Sequence, residues 1–174
     1  MKKLFIILGL FIFMLPSDSA IITGEVEYNA EGVRDVVFRE PIKPLSFENI
    51  RNNLIDSNLT ENLFCLLQNK TELNDRKIAK FSDGTYGVMY YNDPLYTWYY
   101  QTNGRLISFT YKESEQFPAK ITRYKADGSV INTGLKISEQ ESYIFSPNGK
   151  LIAHWQGNLC FDENNNVIMQ RKYN

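Results

Sequence analysis

The sequence predicts a mainly β (α+β) fold: an antiparallel β-hairpin repeat meander with a small helical segment near the N-terminus. Three observations predict it. Aromatic residues recur ahead of Asx-Gly pairs through the C-terminal half, and each pair is followed by Leu or Val and then Ile. The chain holds 11 Tyr and 11 Phe, side chains that suit a pleated, half-buried surface. Residues 46–69 show helical rather than alternating spacing.

The N-terminus reads as a signal peptide over residues 1–19. Lys2 and Lys3 precede an uncharged run from Leu4 to Leu15, Pro16 breaks it, and Ser17 to Ala20 supply small residues for cleavage. The run is shorter than the roughly 20 apolar residues of a spanning helix. Residues 20–174 then form a single domain. Cleavage removes Lys2, Lys3 and Asp18, leaving 17 basic and 19 acidic residues and a net charge of −2. That balance gives no overall electrostatic footprint for nucleic acid, and no later stretch is apolar enough to span a membrane after cleavage.

Residues 20–45 are expected to form an entry β-hairpin and linker. Ile22, Gly24, Val26 and Tyr28 alternate with polar residues, residues 29–32 supply the turn, and Val33 to Phe38 return. Pro41 and Pro44 stop pairing there. Residues 46–77 form the helical segment. Ser46 caps a helix carrying Phe47, Ile50 and Leu54. After a break at residues 56–58, Thr60 caps a second helix with a stripe of Leu63, Leu66 and Leu67, and Leu59 packs on Phe64.

Residues 78–174 are the β-hairpin repeat region. Tyr100 to Ile107 is one copy, Tyr124 to Ile131 the next, Phe145 to Ile152 the third and Phe161 to Ile168 the last. Phe81-Ser82-Asp83-Gly84 is a shorter copy. Pro147 decides the loop length. A two-residue loop would place it in the ladder, where its missing N–H is a defect. A type I turn followed by a left-handed Gly puts it at a position proline favours. The three-residue loop sets Tyr100 opposite Leu106, Tyr124 opposite Val130, Phe145 opposite Leu151 and Phe161 opposite Val167.

The units Tyr99 to Leu106 and Tyr143 to Leu151 resemble the Tyr-Tyr-x-x-Asn-Gly-x-Leu core of MORN-variant repeat proteins, the kind often labelled YwqK-type antitoxin components. The resemblance covers about residues 96–170, lacks the usual Gly-x-Trp start and has uneven spacing. It implies a scaffold or interaction surface and no catalytic residue.

The densest aromatic run, Met89 to Tyr100, sends alternate side chains to opposite sheet faces. Tyr91, Tyr96, Trp98 and Tyr99 are therefore candidate binding residues, with His154 and Trp155 added from a later strand. His154, the only histidine, has no adjacent nucleophile or orienting acid in sequence. Cys65 and Cys160 form a candidate disulfide if the chain is exported. No metal or cofactor is expected: Asp162 to Asn166 look like the start of a calcium loop, but Val167 stands where that loop needs Gly. The expected function is an exported non-catalytic binding module of the cell envelope or extracellular space, with a protein or glycan partner. The alternatives are a small secreted hydrolase or modifier of envelope polymers and, by repeat resemblance, an antitoxin- or immunity-like protein.

Overall fold

A computed structural model of the chain describes residues 29–42 and 45–170. The signal peptide read over residues 1–19, the first strand of the entry hairpin and residues 171–174 lie outside them. Ten strands form one sheet in the order β1 to β10, every strand antiparallel to its sequence neighbour. They are β1 (Arg76–Lys80), β2 (Tyr86–Tyr90), β3 (Tyr96–Tyr100), β4 (Leu106–Lys112), β5 (Ala119–Lys125), β6 (Val130–Lys136), β7 (Glu141–Phe145), β8 (Leu151–Gln156), β9 (Leu159–Phe161) and β10 (Val167–Gln170). Because the chain reverses at every turn, all the Asx-Gly corners fall at one end of the sheet.

Each corner has the same construction. In the first full copy the Gly104 N–H donates to Gln101 O at 2.8 Å, and the Gln101 N–H donates to Arg105 O at 2.9 Å. Gly104, Gly128, Gly149 and Asn165 all have positive φ, between 62° and 82° for the last two and near 80° for the others (Gly104 79°, Gly128 83°). The left-handed residue adds a bulge, so Tyr100 pairs with Leu106, Tyr124 with Val130, Phe145 with Leu151 and Phe161 with Val167. These are the four cross-strand pairs that the three-residue loop requires. The Asx side chain before Gly locks the corner, its Oδ1 accepting from the N–H two residues on in Asp83, Asn103 and Asp127.

Three helices lie on one face of this sheet. The expected return strand over Val33 to Phe38 is instead helix α1 (Ala30–Val37). Asn29, read as a turn residue, is its N-cap and accepts from the Gly32 N–H at 2.9 Å. Val33, Val36 and Val37 recur at helical spacing, and Val33 and Val37 are buried against Leu135, Tyr143 and Phe145. That 3.6-residue period overrides the β-branched composition.

Helix α2 (Phe47–Arg51) buries Ile50, and the backbone then bridges Ile55 to Arg105 before helix α3 (Leu59–Leu67). α3 begins at Leu59, with Asn58 rather than Thr60 before it. Its buried face is Asn62, Cys65 and Leu66, while Phe64 and Leu67 point to solvent, 58% and 78% exposed. The expected leucine stripe and the Leu59–Phe64 contact are thus displaced by about one residue around the helix. The polar anchor of Asn62, described below, sets that rotation. Leu59 instead packs on Gly104, where a Cβ would come within 3.0 Å of its Cδ2.

Two hydrophobic clusters result. The larger lies under α2 and α3 and includes Ile78, Tyr86, Val88, Trp98, Tyr100, Leu106, Phe109 and Tyr124. The smaller lies under α1. No described helix is long and apolar enough to cross a membrane.

Candidate functional site

Strand alternation divides the expected aromatic cluster. Trp98 is buried on the helix side, stacked on Tyr96 at 5.4 Å and packed against Phe109 at 5.0 Å. Tyr96 joins the same core and touches Tyr111. Tyr91 is 41% exposed in the turn after β2. Of the candidate residues on β3, Tyr99 alone projects to the face opposite the helices, beside Thr97. His154 lies on β8, stacked on Tyr143 at 3.9 Å, and its Nε2 is 3.4 Å from Glu141 Oε1. Trp155 takes the other face beside it, paired in register with Cys160. Tyr96, Trp98 and His154 thus face the helix side, Tyr99 and Trp155 the opposite side, and Tyr91 lies in a turn. The six expected residues therefore do not form one site.

The expected disulfide is not formed. Cys65 and Cys160 are both buried thiols, Cys65 on α3 and Cys160 on β9. Cys65 belongs to the cluster under α3 on the helix side, whereas Cys160 shares the opposite face with Trp155 near the far edge of the sheet. A disulfide needs Cα atoms within about 7 Å.

The helix side holds a buried polar cluster that no sequence spacing announces. Asp56 accepts from the Asn58 N–H at 2.9 Å, the Asn62 Nδ2 at 2.9 Å and the Tyr86 hydroxyl at 2.6 Å. Asn62 Oδ1 accepts from Arg76 Nε at 2.8 Å. Arg76, itself buried, also donates to the Asp75 carboxylate at 2.8 Å and to Glu61. Burial works against the Arg76 charge, but its hydrogen bonds to Glu61 and Asp75 outweigh that and hold its pKa above the ordinary value. Burial, then the hydrogen bond to Asp56, pushes the Tyr86 phenol far up. Every member is satisfied, as a buried polar network must be. Its role is to fasten α3 to β1 and β2.

The opposite face carries a different chemistry. Cross-strand partners share a face, so the register places Lys77, Tyr99, Ser108, Thr110, Lys112, Arg123, Lys125, Asn132 and Lys136 together. Five of these are cations. Among the described strand residues on this side there is no Asp or Glu. The centre is Arg123, whose guanidinium lies 4.5 Å over the Tyr99 ring. Its Nε and Nη2 donate to Ser108 Oγ at 3.1 and 2.9 Å. Gly87, opposite Tyr99, gives the ring room to lie down: a Cβ there would touch it at 3.4 Å.

Among the described residues, the carboxylates paired with cations of this face stand at its rim. Lys136 pairs with Glu139 at 2.7 Å and Lys77 with Glu72 at 2.9 Å. The Lys136 hydrogen bond holds Glu139 below its ordinary pKa, with Lys112 and Lys77 contributing at longer range. Among the described residues, Lys112, Arg123 and Lys125 form no ion pair, and no group of three or more His, Cys, Asp and Glu is placed to hold a metal.

Sequence reading found Tyr99 but missed Arg123 and Lys125. Their signal was present: Lys112, Arg123, Lys125 and Lys136 all fall on one parity once the hairpin register is fixed. Comparison with protein families, with curated proteins and with solved structures finds no match to this chain.

Proposed function

We propose that this chain is an exported, non-catalytic binding module of the cell envelope or extracellular space, and that it takes its partner on the sheet face opposite the helices. One observation carries the reading. Helices cover much of one face of the sheet and leave there a hollow lined by Tyr96, Tyr111, Lys120, Thr122 and Tyr124, while the other face displays Tyr99, Thr110, Arg123 and Asn132 on paired strands with no helix over them. Side chains fixed on hydrogen-bonded strands are better positioned for recognition than those on loops. The basic, apolar and small-residue order of residues 1–20 supports export.

The test has two arms. N-terminal sequencing of the protein made in its host is expected to begin at Ala20; an intact Met1 in the cytosolic fraction overturns export. Thr110→Trp fills the face beside Arg123, whereas Leu67→Trp enlarges an exposed residue on the helix side. On an array of envelope glycans and peptides, the first variant is expected to lose whatever the parent binds and the second to keep it. The reverse pattern refutes the assignment of the face.

The hydrolase reading has one observation in its favour, the Glu141–His154 pair at 3.4 Å, which has the form of a base and its orienting acid. It requires a substrate whose cleavage is abolished in His154→Ala with the fold intact.

A further inference from the structure

We propose that the sheet face opposite the helices binds an acidic polysaccharide, a sugar chain bearing carboxylate or sulfate groups, with Arg123 as its central contact. The proposal rests on the preceding assignment of that face. Charge selects the class. The face presents five cations, and three of them, Lys112, Arg123 and Lys125, form no ion pair among the described residues, with Glu139, Asp83 and Asp127 acting on them only at longer range. Arg123 spends Nε and Nη2 on Ser108. Its Nη1 makes no hydrogen bond among the described residues, so its two N–H groups remain to donate to an anion.

The rings decide between anionic polymers. A neutral sugar or a nucleic-acid base needs the flat side of an aromatic ring to stack on. The Arg123 guanidinium already covers Tyr99. Phe117, at the rim, has the Lys112 and Lys136 ammonium groups over its ring at 5.6 and 5.0 Å. Phe81, against the Tyr99 ring at 5.8 Å, and Trp155 near the far edge are further rings on this side, so around Arg123 charge and hydrogen bonds outnumber stacking surfaces. Thr110 and Asn132 flank Arg123 directly across β4 and β6, and both can bond sugar hydroxyls. Positive groups spread over paired strands suit a polymer with one charge per sugar unit.

The experiment uses the mature chain and measures binding of polygalacturonate and heparin by calorimetry, beside neutral dextran and a single-stranded DNA oligonucleotide. At least one acidic polysaccharide is expected to bind, with affinity falling as salt rises. Arg123→Gln is expected to weaken it roughly tenfold, the scale of one charge-assisted hydrogen bond. Lys120→Gln, on the helix side, is expected to leave it unchanged. Should Arg123→Gln fail to fold, Lys112→Gln with Lys125→Gln carries the same expectation. No binding of either acidic polymer, equal binding of DNA, or equal loss in Lys120→Gln overturns the proposal. If the acidic polymers fail but Thr110→Trp abolishes binding of an uncharged ligand, the face assignment stands and the acidic class falls.

Discussion

Replacing Asn62 by Leu tests whether polar fastening, and not apolar area alone, holds α3 on the sheet. The side chain is fully buried and joins two charged groups, donating to Asp56 and accepting from Arg76. Leucine has a similar volume, so no cavity opens. Two hydrogen bonds to charged partners are lost, at roughly 1.5–3 kcal/mol each. Greater apolar burial returns about 1–2 kcal/mol. The expected cost is about 2–4 kcal/mol, a large part of a typical domain stability of about 5–15 kcal/mol. Arg76→Met should cost less, about 1–3 kcal/mol, because Glu61 and Asp75 are 59% and 60% exposed and rehydrate when released. The double variant removes donor and acceptor together, so its cost should fall below the sum by at least about 1 kcal/mol. Urea unfolding followed by tryptophan fluorescence reads all three, since Trp98 is buried beneath this helix layer. An Asn62→Leu midpoint unchanged within error, or a double variant equal to the sum, refutes the fastening role.

The corners give a paired comparison. Gly149→Ala meets nothing closer than 3.7 Å, so its cost is the left-handed backbone alone, about 1–2 kcal/mol. A Cβ at Gly128 would lie 2.9 Å from Leu45 O and 3.3 Å from Ile50 Cδ1, so Gly128→Ala should cost clearly more; equal melting shifts contradict that. Acid titration probes the Asx locks. A side-chain hydrogen bond from Thr85 lowers the Asp83 pKa, one from Ser129 lowers Asp127, and one from Asn166 lowers Asp162. A depressed folded pKa stabilises fully above the ordinary value of 3.8 and is lost as pH falls through the folded value. The melting temperature should therefore drop below about pH 4, and the triple Asp→Asn variant, which keeps the acceptor oxygens, should show a shallower acid limb. An identical limb in both proteins argues against the locks.

The sequence by itself determined the repeat, because its information is local. An aromatic residue, an Asx-Gly corner and a branched aliphatic six residues on are enough to fix loop length, bulge and register, and Pro147 discriminated between the two loop lengths. It also marked 46–69 as helical. Residues 33–38 were misread because β-branched composition and helical spacing compete there, and what settles the matter is the Asn29 cap and a sheet surface more than a hundred residues away in sequence. The rotation of α3 was equally hidden, since Asn62 faces inward only because Asp56 and Arg76 meet it. Tertiary structure alone decided which side of the sheet the helices cover. Parity assigns Trp98 and Tyr99 to opposite faces, but only the placement of the helices makes one of them core and leaves the other beneath Arg123. The basic face is likewise invisible in a near-neutral net charge, because charge is summed along the chain, whereas a partner meets it one surface at a time.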